Sequence, residues 1–359
     1  MNRTAYFTPS YYAMNKSTHL KITCFLFLLL SANLLWSQTP QVEILTSGTA
    51  TSLRGLSVVN DNVVWVSGSK GKVGRTNNGG KNWNWFTVKG FEKTEFRDIE
   101  AFDASTAIIM SIAEPAYILK TTDGGESWKQ VYTNKTKGMF LDAMDFVGSE
   151  YGIVVGDPVN NKVFLAETYN GGETWQELTN NDQRFIADSG EAFFASSGTN
   201  IRLMIDKNFY IVSGGLKSRL ITKTSMTDLP VLQGKESTGA NSIDVYDNGN
   251  GKGSKRLIVA GGDFSKDSST EKNCFYSNDG GKTWKAPKTP PHGYRSCVEF
   301  LSEKDVLTCG LNGVDYSSNG GKEWKWVSKE SFHVCRIAKT GKNIYLAGNN
   351  GKVGKLVWR

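Results

Sequence analysis

Seven side chains, spread through the loops of the chain, are the ones best suited to hold a ligand: Arg97, Glu114, Asp157, Asp263, His292, Tyr294 and Arg295. Guanidiniums present forked donors to carboxylates and other anions, carboxylates accept from hydroxyls, and Tyr adds a flat apolar face with a polar tip. A set of this kind binds an anionic or sugar-like group. It does not announce a reaction, because the same charges can pair with one another through water. Gly156-Asp157-Pro158 and Gly261-Gly262-Asp263 also read as plain turns, which Asp and Gly form without any ligand.

Other chemistries find less support. Only three His occur in 359 residues, which leaves little room for imidazole metal sites or repeated acid–base work. No glycine fingerprint follows a strand and no C-x-x-C occurs, so nothing speaks for a redox cofactor. Neither a cofactor nor a metal is expected. Cys274, Cys297, Cys309 and Cys335 read as lying within strands, at spacings that match no zinc knuckle. Two readings stay open for them: a cross-link between Cys297 and Cys309 on adjacent strands, or buried free thiols.

A repeat must position these residues. Thr-Asn-Asn-Gly-Gly-Lys-Asn-Trp ends at Trp83, and related segments end at Trp128, Trp175, Trp284 and Trp324, spaced 45, 47, 109 and 40 residues apart. The long step spans two periods, with a degenerate copy near Leu220–Val231. A period in the forties, with strand-like runs between Gly-rich turns, predicts one four-stranded propeller blade per repeat. Blade starts near Arg54, Arg97, Phe140, Glu191, Asn241, Arg295 and Phe332 make seven. The last has three strands of its own, so the strand Gln41–Leu45 is expected to close the ring by pairing with the strand that ends at Trp358. The fold expected is therefore an all-β seven-bladed propeller over residues 38–359. Loops between the second and third strands then share a face with the inter-blade segments, and the seven binding residues gather there around a central channel.

The Gly-Gly-x-x-Trp turns resemble the Asp-box of bacterial neuraminidase repeats, with Asp123 and Asp279 in the carboxylate position and Asn78, Asn170 and Asn319 replacing Asp elsewhere. The whole of residues 41–359 resembles the photosystem II stability/assembly-factor propellers, secreted relatives of which occur in non-photosynthetic bacteria. That resemblance implies a scaffold or assembly role. The boxes themselves, three of which lack the carboxylate, are expected to be structural hydrogen-bonding turns ending in a spacer Trp. A sialidase-like glycan hydrolase is the competing class, but Phe96-Arg97-Asp98-Ile99 lacks the Ile-Pro that follows Arg in that family's early sequence.

Residues 22–36 form an apolar run after Lys16 and Lys21, followed by Ser37, and read as a secretory signal covering 1–37. The run is shorter than the ~20 residues that a membrane-spanning helix needs. Export to the periplasm or the outside is the expectation, with no membrane span after cleavage. The formal charge of +7 includes three basic residues and no acidic ones within 1–37, so the remainder carries +4. That gives no electrostatic footprint for nucleic acid. The sequence thus leads to a non-enzymatic binding propeller, monomeric, whose partner is an envelope or secreted protein or a glycan.

Overall fold

The second strand of each repeat sets the architecture. Val64–Gly68, Ala107–Ser111, Val306–Gly310 and Ile344–Ala347 are buried along their whole length or nearly so. Continuous apolar strands of this kind belong where both sheet faces are covered. Fourth strands such as Asn84–Thr87 and Lys325–Ser328 alternate or face water, as outer edges do. The structure, a computed structural model, describes Met1 and residues 38–178, 185–248 and 255–359, so the segment read as an export signal lies outside the described residues.

Those residues build a seven-bladed β-propeller within the unit Pro40–Trp358. Blades one to three start at Leu53–Val58, Phe96–Ala101 and Leu141–Val147; blades four to seven start at Ile201–Leu203, Thr238–Val245, Cys297–Phe300 and Val334–Ile337. Each of these innermost strands touches the next, and the seventh touches the first, so the ring is continuous. Among the described residues there is no α-helix, and no helix is long and apolar enough to cross a membrane. Outside that unit, Thr39 and Arg359 pair through two backbone hydrogen bonds.

Pro40–Thr46 is the outer strand of blade seven. It runs antiparallel to Val353–Trp358, with Val42 opposite Leu356 and Ile44 opposite Gly354. Val42 and Leu45 pack on the cluster shared by blades six, seven and one. The expected closure is what the structure shows.

The five boxes repeat one hydrogen-bond pattern. In blade two, Thr121 Oγ1 accepts from Gly125 N (3.0 Å) and Asp123 Oδ1 from Ser127 N (3.0 Å). In blade three, Thr168 Oγ1 and Asn170 Oδ1 take the same two bonds from Gly172 N and Thr174 N at 2.9 and 3.0 Å. Asn thus does the work of Asp, because the amide oxygen accepts as the carboxylate does. The second glycine of each box abuts the preceding blade. Gly125 (φ +93°) would place a Cβ 3.3 Å from the ring of Trp65 in blade one. These turns are the spacers between blades.

One expected element moves. Glu191 does not start blade four. Glu191–Ala192 pairs with Gly214–Gly215, which in turn extends the sheet of blade five. The short apolar run of residues 192–195 serves the central channel instead.

Two predictions follow from the ring. Asp123→Asn should leave the melting temperature within about 1 °C, whereas Gly125→Val should cost about 2 kcal/mol or more through a backbone that β-branched residues resist and crowding on Trp65. Scanning calorimetry of both variants checks the difference. Val42→Asp with Leu45→Asp should lower the melting temperature by on the order of 5 °C or more, since charges would replace apolar contacts of the closing strand; an unchanged melt would contradict closure by this strand.

Candidate functional site

The channel is not open. Residues 193–198 cross it and touch each of the other six blades. Phe193 N donates to Asp157 Oδ1 of blade three (2.7 Å), and the Ser196 hydroxyl donates to Asn241 Oδ1 of blade five (3.1 Å). Arg54 of blade one and Arg336 of blade seven donate to the carbonyls of Ser196 (3.2 Å) and Gly198 (3.1 Å). Ser197 Oγ donates to the Ser296 carbonyl beside blade six (2.6 Å). Gly198, at φ +65°, lies against the Asp98 carboxylate of blade two, where any Cβ would collide. Asp98 is buried and accepts from Met144 N (2.8 Å) and Ile99 N (2.8 Å). The long step between Trp175 and Trp284 holds the box-less blade four, and the plug supplies part of its extra length.

The plug leaves one cavity at each mouth. That on the Asp-box face encloses about 760 Å³. Its wall carries more carboxylates than cations, several of them paired: Arg202 bridges Asp244 Oδ1 (2.6 Å) and Glu299 Oε2 (2.5 Å), Arg336 also reaches Glu299 (3.2 Å), and Lys339 pairs with Glu100. Here the inner-strand charges pair across the channel and hold neighbouring blades together.

The other mouth, where inter-blade segments converge, holds a cavity of about 420 Å³. Of the seven residues singled out in the sequence, Arg97, Asp157 and Tyr294 line it. Phe194, Phe264 and Arg54 are further wall residues. Phe264 stands edge-on to Phe194 (5.8 Å) and to Tyr294 (6.2 Å) and is 42% exposed, which makes it the aromatic most open to a partner. The Tyr294 hydroxyl donates to Asn241 Oδ1 at 2.8 Å.

The electrostatics of this cavity are uneven. Arg97 is held by Glu95 through Nε (2.9 Å) and Nη2 (2.6 Å). Among the described residues Arg54 has no ion-pair partner, and burial followed by the nearby Arg97 pushes its guanidinium below the usual value. Burial, then Arg54, lowers His333 to about 4, so this imidazole is neutral at physiological pH. Asp157 is raised to about 6, chiefly by burial, against the Phe193 N–H bond that favours its charged form. Among the described residues it is the only carboxylate lining the cavity.

Four of the seven lie outside these walls. Arg295 is fully buried, paired with Asp315 and donating to Asn312 Oδ1 (2.6 Å), so it braces the chain before blade six. His292 stacks on Trp326 at 4.7 Å and its Nδ1 meets Asp315 Oδ1 (2.6 Å). Asp263 is buried and accepts from Ser265 N (2.9 Å), a turn contact. Glu114 accepts from Gly138 N (2.5 Å) on the surface. Arg54, which the sequence places with Arg97 at the start of a channel-lining strand but which is not one of the seven, joins the wall, whereas sequence reasoning passed over the Phe193–Ser196 stretch. The irregular repeat step was the available signal for the latter.

The cysteines behave as no linear spacing suggests. All four are free and buried. Cys297 stands opposite Cys309 in blade six, as expected, yet Cys335 of blade seven joins them, with its sulfur 3.7 Å from that of Cys297.

Comparison with known proteins agrees with the architecture. The family model described as "Photosynthesis system II assembly factor YCF48" matches residues 36–138, and that of the BNR/Asp-box repeat matches residues 275–286. The resemblance read from the boxes is therefore upheld. Among solved structures, "YCF48 bound to D1 peptide" is similar at 15% identity and a TM-score of 0.62, over 89% of this chain and 95% of that one. YCF48 from Cyanidioschyzon merolae aligns at 17% identity and 0.63, over 88% and 98%. The WD40 propeller domain of Doa1 aligns at 12% and 0.58, over 89% and 97%. Identities this low establish the fold alone. No curated protein sequence matches the chain significantly.

Asp157 yields a pH prediction. A folded-state pKa near 6, above the unfolded ~3.9, stabilises the fold fully below the lower value and loses that contribution as pH rises through the upper one. Asp157→Asn keeps the acceptor for Phe193 N and should raise the melting temperature by a few degrees at about pH 8, with no gain at about pH 4. An equal effect at both pH values would mean that the carboxylate is not held in a dry wall.

Proposed function

We propose that this protein is a non-enzymatic binding propeller, assembly-factor-like, that captures a protein partner at the mouth lined by Arg54, Arg97, Phe264 and Tyr294. The observation that carries this reading is the cavity's composition. Aromatic faces surround two guanidiniums, one of which lacks an ion-pair partner among the described residues. Arg and aromatic anchors around a desolvated pocket are the usual carriers of binding energy at protein interfaces. Such a mouth suits a segment that brings an anionic group next to an apolar side chain. The match of residues 36–138 to the assembly-factor family model, and the fold shared with a structure described as bound to a peptide, lend support.

Export belongs to the same proposal. It rests on the apolar run of residues 22–36 behind two lysines, and it makes the partner an envelope or secreted protein. A glycan partner is chemically compatible with the same donors. A retaining glycan hydrolase would need two carboxyls about 5 Å apart at the site. Among the described residues this mouth is lined by one, Asp157, so no observation favours the enzymatic reading.

The test uses exposed anchors, so that fold and binding separate. Arg97→Ala with Phe264→Ala should weaken capture of the native partner from envelope extracts by about tenfold or more while the melting curve stays unchanged. Arg295→Ala should do the reverse, lowering the melting temperature by breaking a fully buried pair with Asp315. Capture that survives loss of Arg97 and Phe264 would place the binding surface elsewhere.

A further inference from the structure

Three of the four described cysteines converge although they come from three strands in two blades. Cys297 and Cys309 face one another across the first two strands of blade six, and Cys335 sits on the innermost strand of blade seven. Their sulfurs all lie within 4.8 Å of one another, and each residue is 0% exposed. Cys335 N–H points at the Cys297 sulfur (3.4 Å). Isolated buried Cys is ordinary packing of a small hydrophobe. Three sulfurs turned toward one point offer something more specific, a ready-made set of soft ligands.

The number and setting of the ligands select the ion. With metal–sulfur bonds of about 2.3 Å, a planar three-sulfur site spaces its sulfurs about 4 Å apart, which the thiols reach with shifts of a few tenths of an ångström. Zinc in structural sites wants a fourth ligand. Among the described residues no His, Asp or Glu joins the group, and complete burial keeps water from filling a fourth position. Three thiolates alone suit a soft monovalent ion, and hard cations prefer oxygen.

We infer that Cys297, Cys309 and Cys335 form a three-coordinate copper(I) site at the junction of blades six and seven. Binding breaks three S–H bonds, forms three Cu–S bonds and releases three protons, with no change in the oxidation state of copper supplied as Cu(I). The ion would tie blade six to blade seven next to the closing seam. Because the site is dry, metal must enter as the chain folds, not afterwards.

The experiment uses the full chain with Cys24→Ser and Cys274→Ser, so that only the three clustered thiols remain. Protein made in copper-supplemented cells and purified anaerobically should carry one copper per chain by native mass spectrometry, with near-ultraviolet thiolate-to-copper absorption. It should keep that copper against bathocuproine disulfonate. Cys335→Ser should abolish retention, and Cys309→Ser should do the same should the first variant fold poorly. Copper-free protein with three titratable thiols, protein that retains zinc instead, or a mass lowered by 2 Da through a disulfide would each overturn the assignment.

Discussion

The antiparallel pairing of Pro40–Thr46 with Val353–Trp358 is the contact on which the ring depends. Neighbouring blades meet all round the ring, blade seven on blade one included, but this pairing is the one that sets the first strand of the propeller unit into the sheet of its last blade. It also gives blade seven its outer edge, which would otherwise expose a row of unpaired backbone groups. Leu45 of the closing strand meets Gly80 in the first box, so the spacer of blade one rests on the strand that closes blade seven. Closure and blade spacing are thus one device, with a box glycine at five of the seven seams and the closing strand completing the ring once.

The closed ring makes the plug meaningful. A short segment, residues 193–198, can reach six blades only because the innermost strands are held at a common radius. Its backbone carbonyls neutralise Arg54 and Arg336 partly, and its amide at Phe193 holds Asp157. It divides a polar channel into two chambers of different character. One is acidic and crossed by salt bridges, which a newcomer to its cations would have to displace. The other is aromatic and short of negative charge, and among the described residues its Arg54 has no ion-pair partner. Physical chemistry therefore favours the second mouth for recognition, even though the first is larger.

How far the sequence could be read depends on which signals are periodic. The Trp spacing and the Gly-Gly turns recur, so the seven blades, their strands and the closing strand were legible from residues alone. Asn170 standing where Asp123 stands correctly marked the boxes as turns. Glu191 reads as a blade start because the short apolar run of residues 192–195 suits a buried strand, and nothing local says that it leads across a channel. Arg295 reads as a mouth residue because it stands near the start of an inner strand, as Arg54 and Arg97 do; it precedes that strand by two residues, and its pairing with Asp315, twenty residues on, turns it inward. The clustering of Cys335 with Cys297 and Cys309 lay beyond any spacing rule, since it arises between blades.

Hydrogen exchange of the closing strand addresses the account at its root. If the ring is held shut by this pairing, those amides of residues 41–46 that bond to Val353–Trp358 exchange only as fast as the amides buried in blades one and seven, through opening of the whole propeller. Fast exchange of those bonded amides, while Val64–Gly68 and Ile344–Ala347 remain protected, would show a propeller that holds together without its closing strand and would contradict the account.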